Sequence, residues 1–496
     1  MLGESTVCKL GGHFILSKSE ERLQAFIERI KNEIRDSPKK MACLTFLESL
    51  NESTLAKFSA WAEVKASGAN VSFRFIDDLH LFCQDEDLTS VYPAENDGPQ
   101  QPCLVTGELD SIARLHTDIK GIVDAPARGA NIVSFNLPPF NSYGKKQGNN
   151  APIGEVAMFK YTSALNDLLT YNSRQKIQTG DATTIFWAKE KDPFEGLFFQ
   201  VFGQTFKDSP KQDTELVRAF LQAPITGEWF ESNPDNSFYV LGLAPSISRI
   251  IVRFWIVGKI SEFSAHIKSH FDDLEIIKGP FEPAYYSIQD LLLESAIQRD
   301  KKNIPPHASA SLMMAALQGT QYPLGLYQQI LRRIQNDSSN RVNAKRAAVI
   351  KAYLNRKLRF FPNSTEKELQ MALDINQPSI GYQLGRLMAT LEKIQLDSAK
   401  SRINATIVDR YYGSACSTPV AVFGTLMRLM RHHINRIEQP GRRIWYENLI
   451  AEILGNVTEF PAHLNINEQG KFAVGYYHQK QNFYTKVETE GEVDEN

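Results

Sequence analysis

The C-terminal stretch 380–484 constrains the fold most strongly, because it is typical of short amphipathic helices with local start and stop signals. Within 380–395 the apolar residues recur at steps of three and four, which places them on one helical face. Arg386 and Lys393 are then predicted to lie on the other, outward side. The first element of this stretch is therefore an amphipathic helix.

A second helix is predicted to begin at Thr418–Pro419. Threonine can cap free N–H groups, and proline suits the first helical position, whose N–H is unpaired in any case. Its inward face carries Phe423, Leu426, Met430, His433 and Ile437. Its outward face carries Arg428, Arg431, His432, Asn435 and Arg436, so this helix is predicted to be apolar inside and cationic outside.

Two more helices complete the stretch. One is predicted over about 444–454 and ends at Gly455, a residue that adopts the left-handed turn after a helix at little cost. The other is predicted to start at Asn465, which has the spacing of a capping box with Glu468, and its Gly475 would let a neighbouring helix approach closely. The stretch therefore predicts a small helical bundle with a basic outer stripe.

The rest of the chain is more mixed, and its 496 residues are enough for several domains. The fold class is predicted to be α+β, a mixed α/β N-terminal and central region followed by an all-helical C-terminal bundle. The expected divisions are a mixed α/β N-terminal domain at 1–150, a central α/β domain at 151–300, a basic helical segment at 301–370, the bundle at 371–484 and an acidic disordered tail at 485–496.

Periodicity and β-branched content predict the elements of the first three hundred residues. Helices are expected at 19–35 and 154–169, and another is expected around Phe263, Ile267 and Phe271. Strands are expected at 69–76, 103–107, 131–135, 182–188, 237–245 and 249–257, the last two joined by a turn at Pro245 and Ser246.

Charge and cysteine usage narrow the class of protein. The net charge is −2, so any nucleic-acid binding has to come from local patches. The five cysteines include no C-x-x-C pair, which argues against a thiolate zinc site and fits a reducing cytosol. No apolar run approaches the roughly 20 residues of a membrane span. We expect a cytoplasmic protein with no membrane partner.

The basic run at 332–359 is the strongest single signal in the sequence. Cations that contact phosphates release counterions, which gives affinity for nucleic acid without a need for any particular base sequence. The alternative is a solvated helical surface, but the second basic stripe favours nucleic acid. The predicted backbone contacts are Arg332, Arg333, Arg341, Lys345, Arg346, Arg428, Arg431, Arg436, Arg442 and Arg443.

The Asn-, Gly- and Pro-rich run 134–152 predicts a loop. Lysine can pair with guanine acceptors, and asparagine or glutamine with adenine, so such a loop is a candidate reader of base edges. The alternatives are an ordinary polar loop, or a turn at 142–144 that locks two domains together. The candidate DNA-binding residues are Lys145, Lys146, Gln147, Asn149 and Asn150.

Signals for catalysis are weak. His432–His433 and His116 with Asp118 do not supply a full metal-ligand set, and adjacent histidines on a helix point about 100° apart. The sequence has no Gly-x-x-x-x-Gly-Lys phosphate loop and no Gly-x-Ser-x-Gly elbow. We therefore expect no cofactor and no metal. A metal-dependent nuclease with dispersed acids and a purely structural spacer remain the alternatives.

Six blocks of the sequence carry a family resemblance. They are CLVTGELDSIARLHTDIKGI, SFNLPPFNSYGKKQGNNAPI, GDATTIFWA, FYVLGLAPSISRIIVRFW, INATIVDRYYGSACSTPVAVF and FPAHLNINEQGKFAVGYYHQKQ. In this order the chain resembles the large subunit of the type I-C CRISPR surveillance complex (Cascade), the Csd1 family. Members of that family usually carry an additional N-terminal region, and this chain looks as if it starts late.

The resemblance implies a non-catalytic subunit that binds the 5′ end of the guide RNA. It implies recognition of the motif that flanks the target on duplex DNA, and help in opening that duplex, while base pairing reads the target sequence. The basic stripes would hold the displaced strand, which is bound mainly through its backbone. The implied partners are guide RNA (crRNA), target DNA, other Cascade backbone subunits, a recruited helicase-nuclease, and separate copies of the C-terminal module that start near Met371.

Overall fold

The structure is a computed structural model that describes residues 20–33, 36–49, 100–203, 232–247, 249–280, 282–305, 307–337, 341–361, 366–399 and 403–484. The fold is α+β with helices dominating the C-terminal half, which confirms the predicted class. The predicted strand at 69–76 and the acidic tail lie outside the described residues. The chain divides into two compact units, Met1–Arg114 with Ser142–Met158, and Leu115–Asn141 with Phe159–Asn496.

In the first unit, the predicted helix at 19–35 is confirmed as α1 (Glu20–Glu33). It contacts α2 (Pro38–Glu48), and the ammonium of Lys31 forms an ion pair with the carboxylate of Glu48 at 2.7 Å. The side chain of Ser37 caps α2 by accepting a hydrogen bond from a backbone N–H. The buried apolar side chains of the pair are Phe26, Ile27, Ile30, Cys43, Leu44 and Leu47.

The same unit contains a small antiparallel hairpin, β1 (Gln100–Pro102) and β2 (Leu109–Ser111). The predicted strand at 103–107 is wrong, because these residues form the connecting turn. The N–H of Gly107, at φ +76°, donates to the carbonyl of Cys103 at 2.8 Å and closes that turn. A β-branched run with no partner strand is not enough to make a strand.

The second unit is built on an antiparallel sheet in the order β3-β4-β5-β6. The predicted strands at 182–188, 237–245 and 249–257 are confirmed, and the last two are longer than expected. Pro245 and Ser246 belong to the strand rather than to the turn, and Ile247, at φ +57°, follows them. The predicted strand at 131–135 is wrong, since only Asn131 forms an isolated bridge. The strands are β3 (Lys176–Thr179), β4 (Ala182–Ala188), β5 (Ser237–Ser246) and β6 (Arg249–Lys259).

The sheet is covered differently on its two faces. One face packs Phe186, Phe238 and Phe254 into the main core, together with helices that follow the strands. The other face is partly covered by a smaller core that includes Ile119 and Leu165, the latter from the confirmed helix over 154–169. These helices are α3 (Glu155–Leu168), α4 (Phe194–Gly203), α5 (Ile260–Leu274), α6 (Ile288–Leu293) and α7 (Ala308–Gln318).

Two helices, α8 (Leu324–Asn336) and α9 (Ala344–Phe360), carry the basic run. The cations of α9 are not confined to an outer face. Its residues from Ala344 to Arg356 are buried except Lys345, and the buried set includes Arg346 and Lys351 as well as the apolar side chains. Helix α9 is thus an interior helix rather than a surface helix.

The C-terminal bundle comprises α10 (Ile380–Asp397), α11 (Ile407–Ser417), α12 (Pro419–Ile434), α13 (Pro440–Gly455) and α14 (Ile466–Asn482). The predicted start of α12 at Pro419, the end of α13 at Gly455 and the cap of α14 at Asn465 are confirmed. Helix α13 begins four residues earlier than expected. The Thr418 side chain does not cap α12, because its hydroxyl donates to the carbonyl of Ser414 at 3.2 Å.

Helices α10 and α14 pack closely at glycines, which confirms the prediction that Gly475 lets a neighbouring helix approach. A Cβ on Gly475 would overlap the carbonyl oxygen of Tyr382, and one on Gly385 would overlap that of Phe472. The carboxylate of Glu468 does not complete a capping box on its own helix. It accepts hydrogen bonds from the Gly381 N–H at 2.8 Å and from the Ser379 hydroxyl at the start of α10.

Helix α14 also joins the bundle to the preceding helices. The hydroxyl of Tyr327 in α8 donates to the carbonyl of Ile466 at 2.6 Å, and the hydroxyl of Tyr477 donates to the carbonyl of Ile277 at 2.8 Å. The bundle and the helices before it share one hydrophobic core. One face of α14 is therefore covered by residues that precede Met371.

Candidate nucleic-acid interface

Most cations of the basic run at 332–359 are paired inside the protein. The guanidinium of Arg346 is 2% exposed and forms ion pairs with Glu294 at 2.9 Å and Asp337 at 2.6 Å. Its remaining nitrogen donates to the carbonyl of Arg341 at 3.0 Å. Three of the five N–H donors of Arg346 are engaged within the fold and its side chain is almost fully buried, which argues against the predicted phosphate contact at this residue.

The neighbouring cations follow the same pattern. Lys345 pairs with Asp290 at 3.1 Å, Arg333 pairs with Asp337 at 3.7 Å, and Arg341 donates to backbone carbonyls at the end of α8. Among the predicted contacts of this run, Arg332 is the exposed member for which the described residues supply no side-chain partner. The positive charge of the run is therefore mostly neutralised within the fold.

Two further arginines of α9 share one buried carboxylate. Arg356 pairs with Asp273 of α5 at 2.5 Å and donates to the carbonyls of Ala315 and Thr320 at 2.5 and 2.6 Å. Arg359 pairs with the same Asp273 and with Glu368 at 3.0 Å. These contacts tie α9 to α5 and α7, which is a structural role.

The cations of α12 are arranged in the opposite way. Arg428 and Arg431 are exposed on one side of the helix, and Arg436 is exposed just beyond its end. In the described part of the chain no carboxylate forms an ion pair with any of the three, and α12 itself contains no acidic residue. Like charges three or four positions apart destabilise a helix, so this face is suited to an anionic partner. We call it the basic face.

The last turn of α12 and the first turn of α13 meet at the end of α10. The Nδ1 atom of His433 lies 3.1 Å from the Ser398 hydroxyl, and Arg442 pairs with Asp397 at 2.5 Å. Burial lowers the pKa of His433, and the positive charge of Arg436 lowers it further. The imidazole therefore lies close to the positive charge of Arg436.

Two predicted contacts lie beside this junction with different environments. Arg442 is exposed but already paired with Asp397, which also accepts a hydrogen bond from the Tyr446 hydroxyl. Arg443 is half-buried, and its Nε atom has no hydrogen-bond partner. That Nε atom is buried, so its lack of a partner does not make it available to an external phosphate.

An exposed tryptophan next to these arginines was missed by the sequence reasoning. Trp445 of α13 is 49% exposed, and its ring contacts Tyr446 and Phe483 at centroid distances of 4.8 and 6.0 Å. Aromatic rings beside cations are the usual platform for unpaired bases. The signal in the sequence is the run Arg-Arg-Ile-Trp, in which a tryptophan follows two arginines within one helical turn.

In the other unit, the predicted loop is a closed turn held by Asn150. The Asn150 side chain accepts from the N–H of Ser142 at 2.8 Å and donates to the carbonyls of Lys145 and Gln147 at 3.2 and 3.0 Å. Its amide is therefore already engaged, which contradicts a base-reading role for Asn150. The Gln147 side chain accepts from Arg114 at 2.9 Å, so its carbonyl oxygen is also engaged.

This closed turn presents a different set of side chains to solvent. Lys145, Lys146 and Asn149 are exposed, and Tyr143 is 97% exposed at φ +50°. The Tyr143 ring therefore packs against no other residue in the described part of the chain. The sequence indicated Tyr143 only as part of the turn at 142–144 and not as a residue that contacts a ligand.

The candidate metal ligands are not assembled into a site. The Nδ1 atom of His116 lies 2.5 Å from the Tyr161 hydroxyl, which engages it within the fold. Within the described ranges, no group of three or more His, Cys, Asp or Glu side chains is placed to hold a metal ion. Over the same ranges, no helix is both long and apolar enough to span a bilayer.

Comparison with known proteins gives one family. A family model described as "CRISPR-associated protein (Cas_Csd1)" matches residues 8–484. No curated protein matches the chain. The match covers both units of the fold and includes the basic face as well as the closed turn.

Proposed function

Because the chain belongs to the CRISPR-associated Csd1 family, we propose that it is the non-catalytic large subunit of a cytoplasmic type I-C Cascade complex. In this role it binds the 5′ end region of the guide RNA and contacts the backbone subunits of the complex. It recognises the flanking motif on target DNA, helps to open the duplex and recruits a helicase-nuclease. The family match supports the CRISPR association, and the finer roles are part of the proposal.

The observation that best supports nucleic-acid binding is the basic face of α12. Its exposed arginines have no carboxylate partner in the described residues, so their charge is available to an external anion. Phosphates of a displaced single strand meet this requirement, because such a strand has no pairing partner and is held mainly through its backbone. Trp445, exposed beside Arg443, supplies a ring on which one of its bases can stack.

The test compares two pairs of exposed cations in complexes purified with their guide RNA. Arg428→Gln/Arg431→Gln removes two charges from the basic face. Lys301→Gln/Lys302→Gln removes two exposed charges from a turn outside the bundle and is the matched control. Target-DNA affinity is measured over a range of salt concentrations.

The basic-face variant should lower the slope of log K against log salt by about 1.4, which is the value for two lost single-strand phosphate contacts. The control should leave that slope unchanged. If both pairs change the slope equally, the effect is one of net charge. If neither changes it, the basic face is not the path of the displaced strand.

The closed turn at 142–150 is the proposed reader of the flanking motif. Lys145 and Lys146 are free to reach guanine acceptors or phosphates, and Tyr143 projects as a wedge that can stack on a base pair. Tyr143→Ala should slow the opening of a matched duplex target. It should leave the binding of a target that is already unpaired unchanged. Equal loss on both substrates would contradict the wedge. The control is Ser142→Ala, which alters the same exposed surface without removing a ring or a charge.

A separate copy of the C-terminal module is proposed to start near Met371, ahead of α10. In the full chain, one face of α14 is covered by α8 and by the segment around Ile277. A fragment that starts at Met371 lacks this cover, so it must bind another subunit through that face. Native mass spectrometry of the complex should detect such fragments, and their absence would remove this partner from the proposal.

The proposed absence of catalysis has a direct test. A metal-dependent nuclease would cleave single- or double-stranded DNA or RNA when the purified chain is given Mg²⁺ or Mn²⁺. We expect binding without cleavage. Cleavage that co-purifies with the chain and is abolished by chelation would replace the scaffold role with an enzymatic one.

A further inference from the structure

Three aromatic side chains form a cluster on the sheet of the second unit. The rings are Trp187 of β4, Tyr239 of β5 and Trp255 of β6. Each of them directly follows a phenylalanine whose side chain faces the main core. Because successive side chains of a strand alternate, the three rings lie on the opposite face. Their centroids are 5.4 Å apart for Trp187–Tyr239, 5.5 Å for the two indoles and 5.9 Å for Tyr239–Trp255.

The cluster is only partly covered by the fold. Trp187 packs against the small core around Ile119, whereas Trp255 and Val257 are 49% and 50% exposed on β6. Cross-strand aromatic pairs stabilise a sheet, and the Trp187–Tyr239 pair already supplies that contact. Sheet stability alone does not require a further indole that is half in water.

Cations lie close to the aromatic cluster along the chain. Lys259 is the last residue of β6, two positions beyond Val257 and on the same face by strand alternation. Lys189 follows the last residue of β4, and its N–H donates to the Ser237 carbonyl at 2.8 Å, which continues the pairing of β4 with β5 two positions beyond Trp187. The carbonyl of Gln175 accepts from the Phe186 N–H at 3.1 Å, which continues the pairing one residue beyond β3, and the exposed Arg174 lies in the turn just before Gln175. Lys259 pairs with Asp235 at 2.8 Å, while no carboxylate among the described residues pairs with Arg174 or Lys189.

We propose that this aromatic cluster is a binding platform for the bases of single-stranded nucleic acid, which stack on Trp255 and the exposed part of Trp187. Lys189 and Arg174, which pair with no carboxylate among the described residues, contact the neighbouring phosphates. The platform is separate from the basic face of α12, and it does not depend on the roles proposed for that face. It gives the chain a base-stacking surface with little preference for sequence.

The chemistry favours nucleic acid over a protein partner as the occupant. An apolar protein surface seated on Trp255 and Val257 would strip water from Lys189 and Arg174 without giving them an anion, which is costly. A single strand offers a flat ring for each exposed aromatic ring and a phosphate for each cation. Every base has such a ring face, so the match does not need a specific sequence.

The experiment uses the full chain with two fluorescent single strands, an oligodeoxythymidine and an oligouridine of equal length. Trp255→Ala should weaken binding by about 5- to 50-fold, because one stacking contact is lost. Trp255→Phe should restore most of the affinity. The salt slope should stay unchanged in both variants, since stacking releases no counterions, whereas Lys189→Gln/Arg174→Gln should reduce it by about 1.4.

Several controls keep the outcome interpretable. Phe360→Ala removes an exposed aromatic side chain from α9 and should not affect binding. Photo-cross-linking with 5-iodouracil-substituted strands should label the peptide that contains Trp255. If Trp255→Ala weakens binding of the oligodeoxythymidine and leaves binding of the oligouridine unchanged, the platform binds DNA. If it weakens only oligouridine binding, the platform binds RNA.

The result that overturns the proposal is equal affinity of wild type, Trp255→Ala and Lys189→Gln/Arg174→Gln for both strands. An added protein that protects Trp255 from quenching, with no cross-link to either strand, would also overturn it in favour of a protein docking face. Adding Arg428→Gln/Arg431→Gln separates this site from the basic face. If the aromatic platform is correct and the basic face is not, Arg428→Gln/Arg431→Gln alone should leave single-strand affinity unchanged. The affinity lost through Trp255→Ala should then be the same with and without those two substitutions.

Discussion

The two basic regions of the chain, 332–359 and 428–443, look alike in sequence and differ in where their charges lie. In the first region, Arg346 and Arg356 are buried and held by carboxylates. In the second region, Arg428 and Arg431 are exposed, and no carboxylate in the described residues pairs with them. Cation density along a chain is therefore a poor guide to an anionic ligand, and the availability of the charge is the better one.

The physical reason lies in the cost of burial. A guanidinium leaves water only when carboxylates and carbonyls replace its hydration, and breaking such a buried pair is strongly destabilising. Glu294 and Asp273 provide those carboxylates for α9, and both lie far away in the sequence. Helix α12 has no such partner among the described residues, so the same residue type stays in solvent and is available for binding.

The largest effect expected from this comparison is on Arg346. Arg346→Ala leaves Glu294 and Asp337 without their cation, so we expect a loss of about 3–5 kcal/mol in the free energy of unfolding. Urea unfolding measures it. Arg332→Ala, which removes an exposed cation of the same region, should change stability by less than about 0.5 kcal/mol. Similar losses of unfolding free energy for both variants would contradict the conclusion that Arg346 is held by buried ion pairs and Arg332 is not.

The next effect lies within the bundle, where Arg386 breaks the pattern of its own region. It was predicted to face outward, but it is fully buried and donates to Gln479 at 3.0 Å, Gln383 at 2.9 Å and Glu452 at 2.9 Å. Arg386→Ala should cost about 2–3 kcal/mol, because hydrogen bonds to a charged group are lost.

The control for Arg386 is an exposed arginine on α11. Arg410→Ala should leave the urea midpoint unchanged, since Arg410 is exposed. A negligible effect of Arg386→Ala would indicate that the α10–α14 contact is maintained by its glycines and apolar side chains alone.

A smaller effect is expected at Asp397, the acid that pairs with Arg442. Burial opposes the ionised form, but the hydrogen bonds from Lys393 and Tyr446 and the charge of Arg442 hold the Asp397 pKa below its usual range. A lowered pKa in the folded state adds stability above the unfolded pKa, and that stability is lost as the pH falls through the folded value. The contribution should therefore disappear below about pH 4.

Asp397→Asn tests this dependence. The variant should be less stable by about 1 kcal/mol near neutral pH, and the difference from wild type should shrink as the pH falls below about 4. Urea unfolding across this range measures it. Glu447→Gln, an exposed acid on α13, should show no such convergence. A difference that stays constant with pH would place the stabilisation elsewhere.

The smallest expected effect is on stability when a single exposed arginine is neutralised, and its sign should differ between the two regions. Arg431→Gln removes a like-charge contact with Arg428, so we expect stability to rise by about 0.2–0.5 kcal/mol at low salt. The gain should vanish at high salt, because exposed charges are screened. Arg333→Gln, which breaks the pair with Asp337, should have the opposite sign. The same sign for both variants would contradict the distinction between the two regions.

The local elements of the fold could be predicted with good accuracy where their signals are local. Pro419 and Asn465 mark the starts of α12 and α14 because each acts within a few residues of itself. The strands predicted at 103–107 and 131–135 failed, since a strand also requires a partner that composition does not reveal. The predicted division into domains remains a prediction.

The candidate site was predictable only as a set of charged residues. Arg346 and Arg431 cannot be told apart by type or by helical position, because their difference depends on Glu294 and Asp337 reaching one of them. Asn150 was chosen for its amide, which the closed turn engages internally. The aromatic side chains Tyr143, Trp255 and Trp445 were missed because exposure depends on what packs against a ring.

The helical bundle, the hairpin of β5 and β6, and the family could be read from the sequence, because capping, periodicity and ordered sequence blocks are local or linear properties. Which cations are neutralised and which remain available depends on the three-dimensional packing. That choice depends on carboxylates such as Glu294 and Asp273 meeting α9 across a shared core. Electrostatic pairing acts through space, and the order of residues along the chain does not record the distance between two charges.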